Sequence, residues 1–321
     1  MISVDTTILS WDRSDDTLAA ISSALTQKDI INKVIVVDQG SKPENVTKLR
    51  DFSRDKHNLA IVYNDENLGV PGGRNCAARQ GDGKYVVALD NDAEFINESQ
   101  LKKAVDIMEE NPDIAVLAFR ILRFGSSEDD WSSWPFGSTD KWPSDSSFYT
   151  TKFVGAGHMI RREAFDDIGG YDDKLFFMHE EVDLSKRLIN KGYKIRYTHE
   201  VVIGHKVSKE HRVPWNSTRA MYDVRNSLYL AVKLDTNKGA INTLLLLSHQ
   251  LKRDFKLGAF KSSLKGLFLG LALFPRAIKL KNNQPENKTT LKAEEYNKMY
   301  SCTVSRTFFQ RVARKVGQTF S

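Results

Sequence analysis

In the first third of the chain, short apolar runs rich in β-branched residues alternate with longer, polar, helix-compatible stretches. Thr6 to Leu9, Lys33 to Val37, Leu59 to Tyr63, Tyr85 to Leu89 and Ile114 to Phe119 read as strands. Their Val/Ile/Leu content is near-continuous, which marks strands covered on both faces, as in a parallel sheet. Between them Asp15 to Leu25, Lys42 to Phe52, Val70 to Arg79 and Ser99 to Glu110 read as crossover helices. The order βαβαβαβαβ predicts a doubly wound α/β domain with a mostly parallel sheet. In such sheets ligands sit beyond the carboxyl ends of the strands. Asp38, Asn64 and Asp90 each fall just past a predicted strand end, so three polar residues converge on one rim.

The pattern changes between Gly125 and Phe148, where Ser, Asp, Trp and Pro predominate around Trp131, Trp134, Phe136 and Trp142. This stretch is too polar for core and reads as a long loop, a common place for function. Its aromatics either stack on a ligand ring or pin the loop to the domain. Beyond His205 the chain reads as helical, with apolar and basic residues interleaved through Leu244 to Leu247, Lys252-Arg253 and Phe260 to Lys281. Such helices either lie in a bilayer interface or pack on the domain before them. Asn282 to Asn287 reads as a linker to a last basic helix, Thr303 to Val316. The division expected is a catalytic domain over 1–230 and a basic, amphipathic helical C-terminal extension over 231–321.

Charge sharpens this division. Lys and Arg number 47 against 41 Asp and Glu, a net +6, but the chain is acidic up to His205 and strongly basic after it. The basic part suits an anionic surface, although a solvated basic face is an equal reading. Cys76 and Cys302 are too few for a disulfide framework and no Cys/His spacing suggests zinc, so a reducing compartment fits. The opening MISVDTTILSWDR has no basic segment before an apolar run, and the longest uncharged stretches fall short of the roughly 20 residues that span a bilayer. The expectation is a cytoplasmic protein, peripheral at most on the inner face of the membrane, with no nucleic-acid partner.

Chemistry enters with Asp90-Asn91-Asp92, presented at the end of the fourth predicted strand. Two carboxylates at i and i+2 on a rim can hold a hard divalent cation, yet most such triplets are surface turns. Upstream, Asn67-Leu68-Gly69-Val70-Pro71-Gly72-Gly73-Arg74-Asn75 has glycines that admit close backbone approach, a proline suited to a helix start, and an arginine that can pair with phosphate. A plain turn into a helix accounts for the glycines without Arg74 or Asn75. No G-x-G-x-x-G follows the first strand, where Ser10-Trp11-Asp12-Arg13 stands instead, which argues against a dinucleotide-binding dehydrogenase.

Taken in order, Val36-Val37-Asp38-Gln39-Gly40-Ser41, Asn67 to Asn75 and Leu89-Asp90-Asn91-Asp92 resemble the family 2 glycosyltransferases of the GT-A fold. The resemblance continues through Gly155-Ala156-Gly157, Gly169-Gly170-Tyr171-Asp172, Phe176 to Leu184 and His205, covering about the first 230 residues. It implies a donor site for a UDP- or dTDP-linked sugar in which Asp38 contacts the base and Asp90 the ribose or diphosphate. Asn67, Gly69, Gly73 and Arg74 would line that site, and Asp92 and His205 would hold Mn²⁺ or Mg²⁺. Glu180-Glu181-Val182-Asp183-Leu184 resembles the family's acidic motif, with Glu181 where Asp is more usual, and makes Glu181 the general base. A helix N-terminus there would favour its ionised form. Glu180, Asp183, His158 and Trp134 remain acceptor-side or positioning candidates.

Tyr222 to Asn226 resembles the Arg-Asn segment of rhamnosyl- and related transferases, in which Arg225 either meets the diphosphate or anchors its helix. The Gln-x-x-Arg-Trp motif of processive synthases is absent. The resemblance thus implies inverting transfer of one or a few sugars to a glycan or lipid-linked acceptor in cell-envelope biosynthesis. Two other classes share the pattern: a nucleotide-sugar-binding protein without catalysis, which intact Asp92, Glu181 and His205 argue against, and a sugar nucleotidyltransferase. The latter needs a Gly-rich basic loop after the first strand, where only Arg13 is available.

Overall fold

A computed structural model describes residues 2–206, 218–234, 237–283 and 299. The five expected strands are present as β1 (Ser3–Ser10), β2 (Ile31–Gln39), β3 (Leu59–Asn64), β4 (Tyr85–Leu89) and β6 (Ile114–Arg123). The four crossover helices are α1 (Ser14–Leu25), α2 (Pro43–Ser53), α3 (Gly69–Ala78) and α4 (Gln100–Glu110). Strands β3, β2, β1 and β4 lie side by side and parallel. Alternate residues along them face opposite layers: Val34 and Val36 join the core under α1, while Ile35 and Val37 pack against Ala77 of α3. That two-sided burial is why these strands read as continuous apolar runs.

The fifth strand departs from the simple parallel order. Between β4 and β6 the sheet inserts β8 (Gly157–Arg161), antiparallel to both, and β6 then pairs in parallel with β9 (Lys194–His205). Short strands β5 (Ala93–Phe95) and β7 (Phe148–Thr150) each run antiparallel to β9. Strand β8 is fully buried but only five residues long and carries His158 and Arg161, so its composition does not announce a core strand. The parallel half of the sheet is the half with the expected strand ends. The antiparallel half brings the chain back to the same rim, and β5 pairing sets Ala93 opposite His205.

Helices α5 (Arg162–Asp167) and α6 (Glu180–Asn190) cover the other face with α3. The C-terminal region forms α7 (Ala220–Leu234), α8 (Asn237–Lys256), α9 (Phe260–Ala272) and α10 (Phe274–Asn283). The stretch Phe260 to Lys281, expected to be helical, forms two helices divided after Ala272, where Leu273 turns and Pro275 enters the first turn of α10. Proline lacks the N–H that would continue α9 but suits a helix start. Asn282 and Asn283, expected in a linker, still belong to α10. The expected helix Thr303 to Val316 lies outside the described residues. Among the described residues no helix is long and apolar enough to cross a membrane.

Candidate active site

The site forms where β4, α3, β9 and α6 meet. Asp90 follows β4 directly, and its amide donates to the Ala156 carbonyl at 3.0 Å. Asp92 is held from the β9 side, with the Lys206 amide donating to its carbonyl at 2.8 Å. His205 ends β9. One ligand atom each from Asp90, Asp92 and His205 lies within 4.8 Å of the others. Two carboxylates and an imidazole so disposed fit one divalent cation of the Mn²⁺ or Mg²⁺ kind.

The electrostatics of the cluster are set by its neighbours. Arg13 pairs with Asp92 at 2.9 Å, and His205 Nε2 lies 3.4 Å from the same carboxylate. Burial alone would raise Asp92, but His205 and Arg13 outweigh it and hold Asp92 below its ordinary value. Burial likewise would lower His205, yet hydrogen bonds to Asp92 and Asp130 push it up to about 9. Without metal, His205 is therefore an imidazolium, and Nε2 coordinates only after losing its proton. Asp90 is raised, first by burial and then by the Asp92 charge, with Arg74 opposing.

Arg13 and Asp130 carry no donor or metal role in the sequence reading. Asp130 lies in the Trp-rich loop and accepts from His205 Nδ1 at 3.0 Å. Its two oxygens are also held by Ser132 and Ser133 hydroxyls, each at 2.6 Å. That arrangement fixes the proton on Nδ1 and turns Nε2 toward Asp92, the way ligating histidines are oriented in metal sites. Asp130→Asn is therefore expected to weaken Mn²⁺ binding about 10- to 100-fold, measured by titration calorimetry, with little change in the melting temperature. An unchanged affinity would leave Asp130 a loop anchor only.

Arg74, on α3, is buried and bridges the two sides of the site, donating to Asp90 Oδ1 at 3.0 Å and to the Gly155 carbonyl at 2.8 Å. Its Nε and Nη1 are buried without a protein partner. Burial would lower the guanidinium, but Tyr171, Asp90, Glu181 and Glu180 outweigh it and keep its charge secure. A side chain on Gly155 would stand 2.5 Å from Glu181 Oε1 and 3.2 Å from Arg74 Nη2, so this glycine lets Glu181 and Arg74 face one another.

The glycine segment is built for close approach. Gly69 has φ +73°, and a side chain there would collide with the Phe176 backbone. Gln39 donates to the Gly69 carbonyl at 2.8 Å and accepts from the Leu68 amide at 3.1 Å. A Cβ on Gly73 would come within 2.6 Å of Gln39 Nε2, so a larger residue there would displace the side chain that ties β2 to α3. Asn67 accepts from the Gly69 amide at 2.8 Å, closing the turn. Asp38 accepts from the Ser41 amide at 3.1 Å through Oδ2, while Oδ1 is buried and unpaired.

Glu180 and Glu181 open α6 after a loop in which Phe176, Met178 and His179 all have positive φ. Such conformations cost on the order of 1–3 kcal/mol each and persist where surrounding structure holds them. Here Asn226 of α7 donates to the carbonyls of Leu175, Phe177 and Met178 at 3.0, 2.8 and 2.7 Å. Glu180 is buried, its Oε2 unpaired, and burial with the neighbouring Glu181 charge raises it well above the carboxylate range. Glu181 is half-buried and also raised, first by burial, with Arg74 opposing. The helix N-terminus was expected to favour its ionised form, but burial outweighs it.

Four further candidates sit around the cluster with their polar atoms engaged. His158 is sealed between β4 and β6; Nδ1 donates to the Val154 carbonyl at 3.1 Å and Nε2 accepts from Tyr171 at 3.0 Å. Burial and then Arg74 lower its pKa, so it is a neutral, fully buried packing group. Asp183 is bound to Arg187 at 2.6 Å and Lys233 at 2.7 Å, a positioning arrangement. Arg225 donates to the Lys174 carbonyl at 2.8 Å and also to that of Leu175, and packs 4.6 Å from the Tyr222 ring, so it anchors its helix. Trp134 packs edge-on against Phe136 and Tyr197 at 4.8 and 5.3 Å, the loop-pinning alternative.

Residues 8–169 match the family model described as Glycosyl transferase family 2. The chain is 23% identical over 224 residues to the O-antigen biosynthesis protein RfbC of Myxococcus xanthus, a match covering 63% of this chain and 17% of that protein. A mannosyltransferase from Pyrobaculum calidifontis, solved with GDP-Man and Mn²⁺, superposes with a TM-score of 0.57 at 17% identity, over 87% of this chain and 84% of that one. GalNAc-T7, solved with UDP, GalNAc and Mn²⁺, superposes with a TM-score of 0.62 at 14% identity, over 87% of this chain and 57% of that one.

Proposed function

The chain belongs to glycosyl transferase family 2 and has the GT-A fold, and on that premise we propose that it moves a sugar from a nucleoside-diphosphate donor to a hydroxyl acceptor with inversion. The observation that carries this is the meeting of Asp90, Asp92 and His205 at one rim, with Arg74 and Glu181 facing each other across Gly155.

A bound divalent cation would be held by Asp92 and His205, and there would supply positive charge against a departing diphosphate. The chain's own residues do the rest. Arg74 is already charged and fixed by Asp90 and Gly155, and its unpartnered Nε and Nη1 are donors for phosphate oxygens. The unpaired Asp38 Oδ1 accepts from a nucleobase N–H. Glu181 takes the proton of the acceptor hydroxyl as its oxygen attacks the anomeric carbon, and a base raised above 4.5 accepts it more readily. The bond to the sugar breaks on the opposite face, so the configuration inverts.

The similarity to an O-antigen biosynthesis protein supports an acceptor in the cell envelope, a glycan or a lipid-linked carrier. UDP- and dTDP-sugars are the donors proposed. The reading is tested by offering the full chain a panel of UDP-, dTDP- and GDP-sugars with Mn²⁺ or Mg²⁺ and scoring released diphosphate. One donor is expected to turn over, and Asp92→Asn to lower that turnover by about 100-fold or more. A folded protein that releases diphosphate from none of them would defeat the proposal.

A further inference from the structure

Helix α9 is amphipathic in an inverted sense. Its small residues Ser263, Gly266 and Gly270 are buried, whereas Phe260, Leu264, Phe268 and Leu271 are exposed. The cause lies in what it packs on. A side chain on Gly266 would collide with the Met221 carbonyl of α7, and one on Gly270 would stand 3.0 Å from Leu228. The close helix-helix contact takes the small face, so the large apolar residues point outward. Positions 260, 264, 268 and 271 fall at i, i+4, i+8 and i+11, one stripe of the helix.

The stripe continues beyond the helix. Phe255, 70% exposed at the end of α8, packs edge-on against Phe260 at 5.7 Å, and Leu257 and Ile278 are exposed as well. Lys261 and Lys265 are exposed alongside it, with Lys256 and Lys279 exposed on the flanking helices. No Asp or Glu occurs from Phe255 to Lys281, while Lys256, Lys261, Lys265, Arg276, Lys279 and Lys281 all do. Large exposed apolar residues on a segment that carries cations and no carboxylate of its own complement one kind of partner, a bilayer surface with anionic headgroups. No helix of the described residues is long and apolar enough for spanning.

We infer that the outward face of α9, with Phe255 and Ile278, docks the protein on an anionic lipid surface. The Phe and Leu side chains enter the headgroup–acyl boundary and the lysines meet lipid phosphates. The consequence for the site runs through α7. Gly266 and Gly270 seat α9 on it, and Asn226 of the same helix holds the strained loop that leads to Glu181. Docking thus fixes the Glu181 loop at a set height above the lipid, which suits an acceptor carried in the bilayer. The inference concerns a surface away from the metal cluster, so vesicle binding and donor turnover succeed or fail separately.

The test is flotation of the full chain with vesicles of phosphatidylcholine alone or with about a third phosphatidylglycerol. Expected is recovery with the anionic vesicles, about tenfold weaker on neutral ones, and weakened by salt as the lysine contribution is screened. Phe260→Ser with Phe268→Ser, and separately Lys261→Glu with Lys265→Glu, should each reduce flotation about tenfold or more at unchanged melting temperature. Should the double serine variant unfold, Phe268→Trp gives a second readout, expected to be quenched by brominated acyl chains only in anionic vesicles. Wild type left at the bottom of the gradient, equal recovery on neutral lipid, or variants that float like wild type would each overturn the inference. So would a dimer in solution that the serine variant converts to monomer, because a second copy would then own this face.

Discussion

Glu181→Gln is expected to leave Mn²⁺ and donor binding within about twofold of wild type while reducing sugar transfer about 100- to 10,000-fold, the range a lost general base commands. The substitution keeps the side chain's size and its place beside Gly155, where a larger residue would push Glu181 Oε1 away from Arg74. What disappears is the ability to accept a proton. Binding is measured by calorimetry with donor and metal, and transfer by product chromatography. A pH profile adds a sign. Burial raises Glu181 above its ordinary 4.5, so wild-type turnover should fall as pH drops through that raised value, and the variant's residual rate should lack this limb. Glu180→Gln is the control, because Glu180 is buried behind it and should lose less than about tenfold. Equal rates for wild type and Glu181→Gln would reject the assignment.

This prediction rests on residues that could be read from the chain, and the reason is geometric. Asp38, Asp90 and Asp92 stand at the ends of parallel strands whose apolar runs end abruptly, and strand ends are where such sheets put their ligands. Gly69 was legible for a similar reason, since a positive φ and a close backbone admit little else. The partners of these residues were not legible. Arg13 meets Asp92 from 79 residues away, and Asp130 meets His205 from 75, so each pairing is made by the fold and has no local pattern. The antiparallel β8 was hidden because five residues with a histidine and an arginine give no period. The amphipathic, basic character of α9 was visible, but not which face is turned out. That depends on how closely Gly266 and Gly270 let it approach α7, a property of the contact.

The helical layer also carries the largest expected change in stability, at Lys233. Its ammonium is only 2% exposed and lies 2.7 Å from both Asp172 and Asp183. Asp172 precedes the short 3-10 turn Asp173–Leu175, Asp183 belongs to α6, and Lys233 to α7, so one cation ties three segments around the Glu181 loop. Lys233→Met fills much of the volume but leaves two buried carboxylates without their shared partner. A loss of about 3–5 kcal/mol is expected, measured by urea unfolding at neutral pH.

The pH dependence separates charge from packing. Burial would raise Asp172, but Lys233 and then Tyr229 and the Lys174 amide outweigh it and bring its pKa to about 2. A carboxyl lowered from 3.8 contributes stability that is present above that value and lost as pH falls through about 2. Wild type should therefore weaken across this window. In Lys233→Met, protonating Asp172 relieves an unpaired charge, so the difference between the two proteins should shrink toward acid pH. A difference that stays constant from pH 7 to about 2 would mean that the loss comes from how the methionine packs and not from the missing charge, and that the ion network does not hold the Glu181 loop.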